Sequence, residues 1–204
     1  TPIQLSNDRI RKKLLSNDIT DPVIIDCLNI ISRQVSDIEK LVNNFSDFAR
    51  MPKPIFKPYN LSLIITESVQ AKALQCEGKI NILFNNNSDF IMNCDNFQLS
   101  QVFNNIIQNS INSLLENNIN NGLINIDLIT NKKQVLVTIE DNGIGIKNTK
   151  SELIEPYFTT RKKSGGTGLG LAIVNKILTD HNSTLELGNS KNGGDFVKII
   201  LNNT

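Results

Sequence analysis

Two glycine-rich stretches hold the residues best suited to chemistry: Asp141-Asn142-Gly143-Ile144-Gly145-Ile146, and further on Gly165-Gly166-Thr167-Gly168-Leu169-Gly170-Leu171. Before the first runs Val135-Leu136-Val137-Thr138-Ile139, an alternating, β-branched segment that predicts a strand ending in the acid pair Glu140-Asp141. The second opens a segment, Leu169 to Leu178, with the apolar spacing of a helix. A helix that starts on glycines offers free backbone N–H groups and the positive end of its dipole, which suits phosphate. A buried carboxylate in the first turn could accept from an exocyclic amine such as that of adenine. Together the two turns suggest a nucleotide held at both ends, although either alone reads equally well as an ordinary turn.

Other residues must be positioned around these turns. Asn105 and Asn109 lie four apart in a long predicted helix, so their amides face the same way. Magnesium takes hard oxygen ligands, few of them from protein, and one amide oxygen fits that habit. Arg161, Lys162 and Lys163 form a basic run just before the second turn, a pattern that is ordinarily a solvated face. No Gly-x-x-x-x-Gly-Lys-Ser/Thr stretch is present, so this is not a P-loop. His181 is the single histidine, near a predicted helix C-terminus where a cation is mildly favoured. Cys27, Cys76 and Cys94 are isolated and lack metal spacing, and read as reduced, mostly buried thiols. No constellation for zinc or for nucleophilic hydrolysis is visible. The formal net charge is +1 with no basic face, which gives nucleic-acid binding little support. No apolar run reaches transmembrane length and no signal-peptide pattern is found, so a cytoplasmic fragment is expected.

The elements follow from periodicity. Ile3, Asn7, Ile10 and Leu14 mark the end of a helix, and Ser16 to Thr20 a loop. Asp21-Pro22 is a helix start signal. From there Ile24, Leu28, Ile31, Val35, Ile38, Val42, Phe45 and Ala49 alternate steps of four and three. That is an a/d seam which two helices alone cannot cover and a second copy can, giving a four-helix bundle; packing against the rest of the same chain is the alternative. Pro52, Pro54 and Pro58 end the helix and form a linker. Beyond it, helices are expected from Asn60 to about Leu74 and from Asp95 or Asn96 to about Leu115. Strands are expected over Lys79–Phe84, Gly122–Thr130, Gln134–Glu140, Leu185–Gly188 and Phe196–Leu201. Strands joined by short turns imply an antiparallel or mixed sheet with helices on one face, an α+β fold in two layers.

The segments Gln98–Ser110, Asp141–Ile146, Glu155–Arg161 and Gly165–Leu171 resemble, in order and spacing, the N, G1, F and G2 boxes of sensor histidine kinases, and Asn192-Gly193-Gly194-Asp195-Phe196 resembles their last glycine box. Thr1-Pro2-Ile3-Gln4-Leu5-Ser6 and Phe45–Pro54 are similar to the dimerisation hairpin of the NtrY-like nitrogen-regulation kinases, where the former follows a phosphorylatable histidine. The resemblance covers nearly the whole chain. It implies a two-layer α/β sandwich of the histidine-kinase (GHKL) ATP-binding type over residues 55–204, and before it, over 1–54, a helical hairpin that makes a four-helix-bundle dimer. It implies ATP and Mg2+ as cofactors, with Asn109 as the magnesium ligand and Asn105 lining the phosphate end. Asp141 would read adenine with Gly143 and Gly145 beside it, Arg161 and Lys162 would lie on a lid whose cations reach the phosphates, and Gly166, Thr167, Gly168, Leu169 and Gly170 would wrap them. Asn112 falls where many relatives carry a phosphate-contacting lysine, which leaves its role open. Further implications are autokinase activity on a hairpin histidine absent from these residues, relay to the aspartate of an NtrX-like response regulator, and a membrane-anchored full-length protein. The alternatives are a non-catalytic ATP-binding dimerisation module and another ATPase of the same fold.

Overall fold

The computed structural model describes residues 1–17, 21–76, 78–86, 89–131, 134–161, 166–190 and 193–202. The chain divides into two compact units, Thr1–Met51 with Thr160–Thr167, and Pro52–Thr159 with Gly168–Thr204.

The first unit is built on two helices, α1 (Pro2–Ser16) and α2 (Pro22–Ala49). Each carries proline in its first turn and a side-chain cap: Thr1 accepts from the Gln4 N–H, and Asp21 from the Val23 N–H. They pack as a hairpin whose polar centre is Asn7, 4% exposed. Its Nδ2 donates to the Leu28 carbonyl at 3.0 Å and to Ser32 Oγ at 2.5 Å. Of the α2 seam, Leu28 and Val35 are buried within the chain, while Ile31, Ile38, Val42 and Phe45 remain exposed.

The second unit is the α+β sandwich expected. Its elements are β1 (Lys57–Asn60), α3 (Leu61–Ala73) with a short 3-10 turn to Cys76, β2 (Ile80–Asn86), β3 (Ile91–Cys94), α4 (Asn96–Glu116), β4 (Gly122–Thr130), β5 (Gln134–Asp141), α5 (Lys150–Leu153), α6 (Gly170–Asp180), β6 (Thr184–Asn189) and β7 (Asp195–Asn202). Five strands form one mixed sheet in the order β2-β4-β5-β7-β6, with β2 and β4 parallel and the other pairs antiparallel. Ile124, Ile126 and Leu128 of β4, Val135, Val137 and Ile139 of β5, and Val197, Ile199 and Leu201 of β7 point into the core. This alternation gives one sheet face buried under helices. Against it lie α3, α4 and α6; Leu99, Val102, Phe103 and Ile107 of α4 are fully buried.

Asn60 caps α3 and Asp95 caps α4 through their side chains. Two strands stand where no strand was expected. Lys57–Asn60 pairs antiparallel with Ile91–Cys94, and the strand contains Pro58, assigned above to a linker. A two-stranded ribbon has edges on both sides, so a residue without an N–H is tolerated there. Cys76 and Cys94 are buried and Cys27 is exposed; burial, and then the adjacent Asp95 charge, push the Cys94 thiol up to about 11.

Candidate functional site

The site is built at the ends of β5 and β7 and at the start of α6. Asp141 closes β5 on its helix-facing side and is 5% exposed. Its Oδ1 accepts from the Gly143 N–H at 2.9 Å and from the Asp195 N–H at 3.3 Å. Among the described residues its Oδ2 has no hydrogen-bond partner, which leaves it as the acceptor for a donor from outside. Gly194 has φ +62°, and a Cβ there would stand 2.0 Å from the Asp141 carbonyl oxygen, so only glycine lets β7 approach this closely.

The turn after β5 is fastened from two sides. Asn142 ties it to β4: its Oδ1 accepts from Leu123 N at 2.8 Å and its Nδ2 donates to the Asn121 carbonyl at 3.1 Å. Asn189 ties it to β6, accepting from Ile146 N at 2.6 Å and donating to the Ile146 carbonyl at 3.1 Å. The role of Asn189 was not legible in the sequence, because an amide that pairs with backbone 43 residues away leaves no local signal.

At the other end, α6 begins at Gly170 with Leu169 as its N-cap and no side-chain capping bond. Its first N–H groups are therefore available, and its dipole favours an anion there. A Cβ on Gly170 would sit 3.8 Å from Asn105 Oδ1 and 4.0 Å from Asn109 Oδ1, so both amides of α4 converge on the start of α6. Asn105 Nδ2 is buried with no partner, whereas Asn109 is exposed. Asn112 sits one turn further along the same stripe. Its Oδ1 accepts from Gln108 Nε2 at 2.9 Å, and Gln108 Oε1 accepts from Lys72 Nζ at 2.9 Å. A cation from α3 thus stands two hydrogen bonds from the position where the resemblance leads one to look for lysine.

Gly168 has φ +69°, and a Cβ on it would lie 2.5 Å from the Tyr157 carbonyl carbon. The Tyr157 N–H donates to the Gly168 carbonyl at 3.0 Å, so these two segments are fixed back to back. Asp141, Gly143, Gly145, Asn105, Asn109, Asn112, Gly168, Leu169 and Gly170 all belong to the sandwich unit. Arg161, Gly166 and Thr167 belong to the other compact unit, where the Gly166 N–H donates to the Arg161 carbonyl at 3.0 Å. Lys162 lies outside the described residues.

His181 is 5% exposed and both ring nitrogens are engaged. Nε2 accepts from the Asp95 N–H at 3.1 Å, so Nδ1 carries the hydrogen that meets the Ile177 carbonyl at 2.8 Å; the Phe56 ring covers it at 5.1 Å. It staples α6 to the start of α4, and neither nitrogen is open to accept a phosphoryl group. No group of three or more His, Cys, Asp or Glu is placed to hold a metal among the described residues, and no helix among them is long and apolar enough to cross a membrane.

Residues 94–204 match the family described as histidine kinase-, DNA gyrase B-, and HSP90-like ATPase. The chain belongs to this ATPase family. Within it, the chain is 36% identical over 209 residues to the nitrogen regulation protein NtrY of Azorhizobium caulinodans, covering 98% of this chain and 26% of that protein. It is 33% identical to an NtrY-like sensor histidine kinase of Rickettsia bellii, over 99% of this chain and 33% of that one. The chain thus spans about a quarter to a third of the length of these relatives. Among solved structures, the catalytic domain of histidine kinase ThkA in a nucleotide-free form superposes with a TM-score of 0.65 at 28% identity, over 74% of this chain and 97% of that one. ThkA in complex with the response regulator TrrA has the same fold over 100% of this chain and 58% of that one, with a TM-score of 0.75 at 24% identity.

Proposed function

We propose that this chain is the catalytic part of an NtrY-like sensor histidine kinase, which binds Mg-ATP and supplies its γ-phosphoryl group to a histidine on a hairpin of this type. The observation that carries it is the convergence of Asn105 and Asn109 on the uncapped start of α6, with the free oxygen of Asp141 in the same unit. The donor set suits the ligand. Asp141 Oδ2 accepts from the adenine amine. The α6 N–H groups, with Gly168, Leu169 and Gly170, hold phosphate oxygens, and the orphaned Asn105 Nδ2 gains an acceptor there. Asn109 offers one amide oxygen to Mg2+, which would neutralise phosphate charge when bound. Gly143 and Gly145 let backbone approach the base in this proposal. Asn112 acts through Gln108 and Lys72 as a polar contact behind that end.

The work of the site is orientation and charge stabilisation, because phosphoryl transfer asks little covalent chemistry of the protein. Residues 55–204 form the nucleotide domain in this reading, and residues 1–54 the dimerisation hairpin. The exposed Ile31, Ile38, Val42 and Phe45 are covered by a second copy, which completes a four-helix bundle. The acceptor after histidine is the aspartate of an NtrX-like response regulator, and the full-length protein is anchored in the inner membrane with this part in the cytoplasm. The ThkA–TrrA complex supports the response-regulator part of this reading.

The test is to mix these 204 residues with a catalytically inactive full-length relative that keeps its hairpin histidine and to supply ATP labelled at the γ-phosphate. Acid-labile label on that partner, and little on the 204-residue chain itself, is the expected result. A chain that binds Mg-ATP and never labels the partner refutes the kinase assignment. Strong self-labelling that disappears in His181→Ala refutes the structural role given to His181.

A further inference from the structure

Asp141 has a second carboxyl group beside it. In the β5–β7 register Ile139 faces Val197 and Glu140 faces Phe196, so the next positions across are Asp141 and Asp195. Asp195 lies on the same side of β7 as Val197, Ile199 and Leu201, the side that faces the helices. Like charges directly opposite on one sheet face are destabilising, and a pair placed at the end of a core face breaks the pattern that every other residue there follows. Asp195 has no ion pair among the described residues, and its Oδ1 is buried with no hydrogen-bond partner. Its backbone N–H already serves Asp141 Oδ1. The Gly194 contact with the Asp141 carbonyl holds the two residues at this separation.

We propose that Asp195 is a second base-reading residue of the nucleotide site: beside the acceptor oxygen of Asp141 it presents a carboxyl O–H as a donor, and the pair reads the adenine edge and refuses the guanine edge. Adenine shows a donor amine next to an acceptor ring nitrogen. Guanine shows a carbonyl acceptor next to a ring N–H donor, the reverse order. An acceptor followed by a donor therefore matches the first and opposes the second at both positions.

The environment raises the proton affinity of Asp195. Burial, and then the Asp141 charge, push Asp195 up to about 6. Among the described residues, the other groups around it supply no compensating cation: its register partner on β6 is Asn189, and the α4 side chains that meet Gly143 are Ser113 and Leu114. Lys198 sits on the opposite face of β7 and pairs with Glu186 at 3.1 Å. A ring nitrogen that needs the donor would raise the proton affinity of Asp195 further, so adenine binding would be coupled to proton uptake.

This inference rests on the nucleotide site proposed above, and the experiment separates the two. Mg-ADP is titrated into the chain, Asp195→Asn and Asp195→Leu from pH 5.5 to 8.5, with Mg-GDP alongside. Asparagine supplies a donor that does not titrate, and leucine supplies none; dividing by the Asn variant cancels protonation of the phosphates. Wild type should match Asp195→Asn near pH 5.5 and fall behind it above about 6, by at most roughly tenfold per pH unit. Its preference for Mg-ADP over Mg-GDP should shrink in parallel, while Asp195→Leu should be weak throughout. A ratio of wild type to Asp195→Asn that stays flat with pH overturns the role of Asp195 and leaves the site standing. If no form binds Mg-ADP at any pH, the nucleotide site itself is refuted, and this inference with it.

Discussion

α2 and α4 are both long, both capped by aspartate and both rich in isoleucine, leucine and valine, yet they end differently. In α4 the apolar side chains Leu99, Val102, Phe103, Ile106, Ile107, Ile111 and Leu114 are all within 4% of full burial, covered by the sheet and the neighbouring helices of their own unit. In α2, among the described residues, only Leu28 and Val35 are buried, at 5% and 9% exposure, while Ile31 is 42% and Ile38 61% exposed. Among the described residues the apolar stripe is covered in one case and half exposed in the other. A seam of heptad spacing and a stripe wide enough for a sheet look alike over a few turns, and what separates them is whether the same chain supplies the cover. α4 therefore carries the stability of the sandwich, and α2 keeps the exposed apolar surface that the proposed dimer would cover.

The largest effect should come from breaking the completed side. Phe103 is fully buried in α4, and Phe103→Ala should cost about 3–5 kcal/mol through lost burial and the cavity left behind. Denaturant unfolding followed by a probe in the sandwich measures it. The same truncation of exposed Ile38 should be nearly silent in a monomer and costly only in a dimer. Equal losses for Phe103→Ala and Ile38→Ala under monomeric conditions would erase the contrast between the helices.

The open side breaks by charge. Ile31→Asp with Ile38→Asp should give monomers by sedimentation, because carboxylates at a bundle seam would be buried without partners, and each copy suffers the loss. Nucleotide affinity should survive, since Asp141, Asn105, Asn109 and Gly170 all belong to the other unit. A double variant that stays dimeric would mean that α2 is not the assembly surface.

What could be read in the sequence was what is local. Gly122–Thr130 emerges as β4 from alternation, and Asp21, Asn60 and Asp95 cap helices as their positions promise. Three features were not read, for different reasons. Pro58 hid β1, since a proline argues against a strand until the pairing shows an edge. Helix α5 is four residues long and too short for periodicity, although Thr149 and Glu152 form a capping box whose spacing is visible in the sequence. The facing of Asp195 and Asp141 depends on a register set across 54 residues, and no window along the chain contains it. In the site itself the glycine turns and the Asn105–Asn109 stripe were legible because each is a single local pattern. The fastening by Asn189 and the polar relay from Lys72 through Gln108 to Asn112 were not, because they join separate elements.

Within the sandwich, the contrast sharpens at the end proposed to read the base. Asp141→Asn keeps an oxygen for the Gly143 and Asp195 N–H groups but turns an amide toward the adenine amine, setting donor against donor. The expected cost is about 1–3 kcal/mol of ATP affinity, with little change for guanine nucleotides and none in the dimer. Calorimetry with both nucleotides measures it, and an unchanged ATP affinity would remove Asp141 from the site.

The smallest effect is a matter of sign. Asp195 has a folded-state value of about 6 against 3.8 for an ordinary aspartate, so the folded chain holds this proton more tightly than the unfolded chain. Stability from this group is therefore fully present below 3.8 and is lost as pH rises through about 6, the reverse of the usual paired carboxylate. Asp195→Asn cannot ionise, so the variant should gain on wild type across that window and hold the gain above it. The gain should be about 1 kcal/mol, because the group is only partly buried and solvent screens part of the repulsion. For a chain of this size that is a rise in Tm of about 2–4 °C. Melting both proteins without nucleotide at several pH values would show it, with near coincidence at the acid end and separation above about 6. A separation largest at the acid end would mean that Asp195 is a stabilised carboxylate, paired with a cation in solution, and the acidic pair would then be an ordinary element of the sheet.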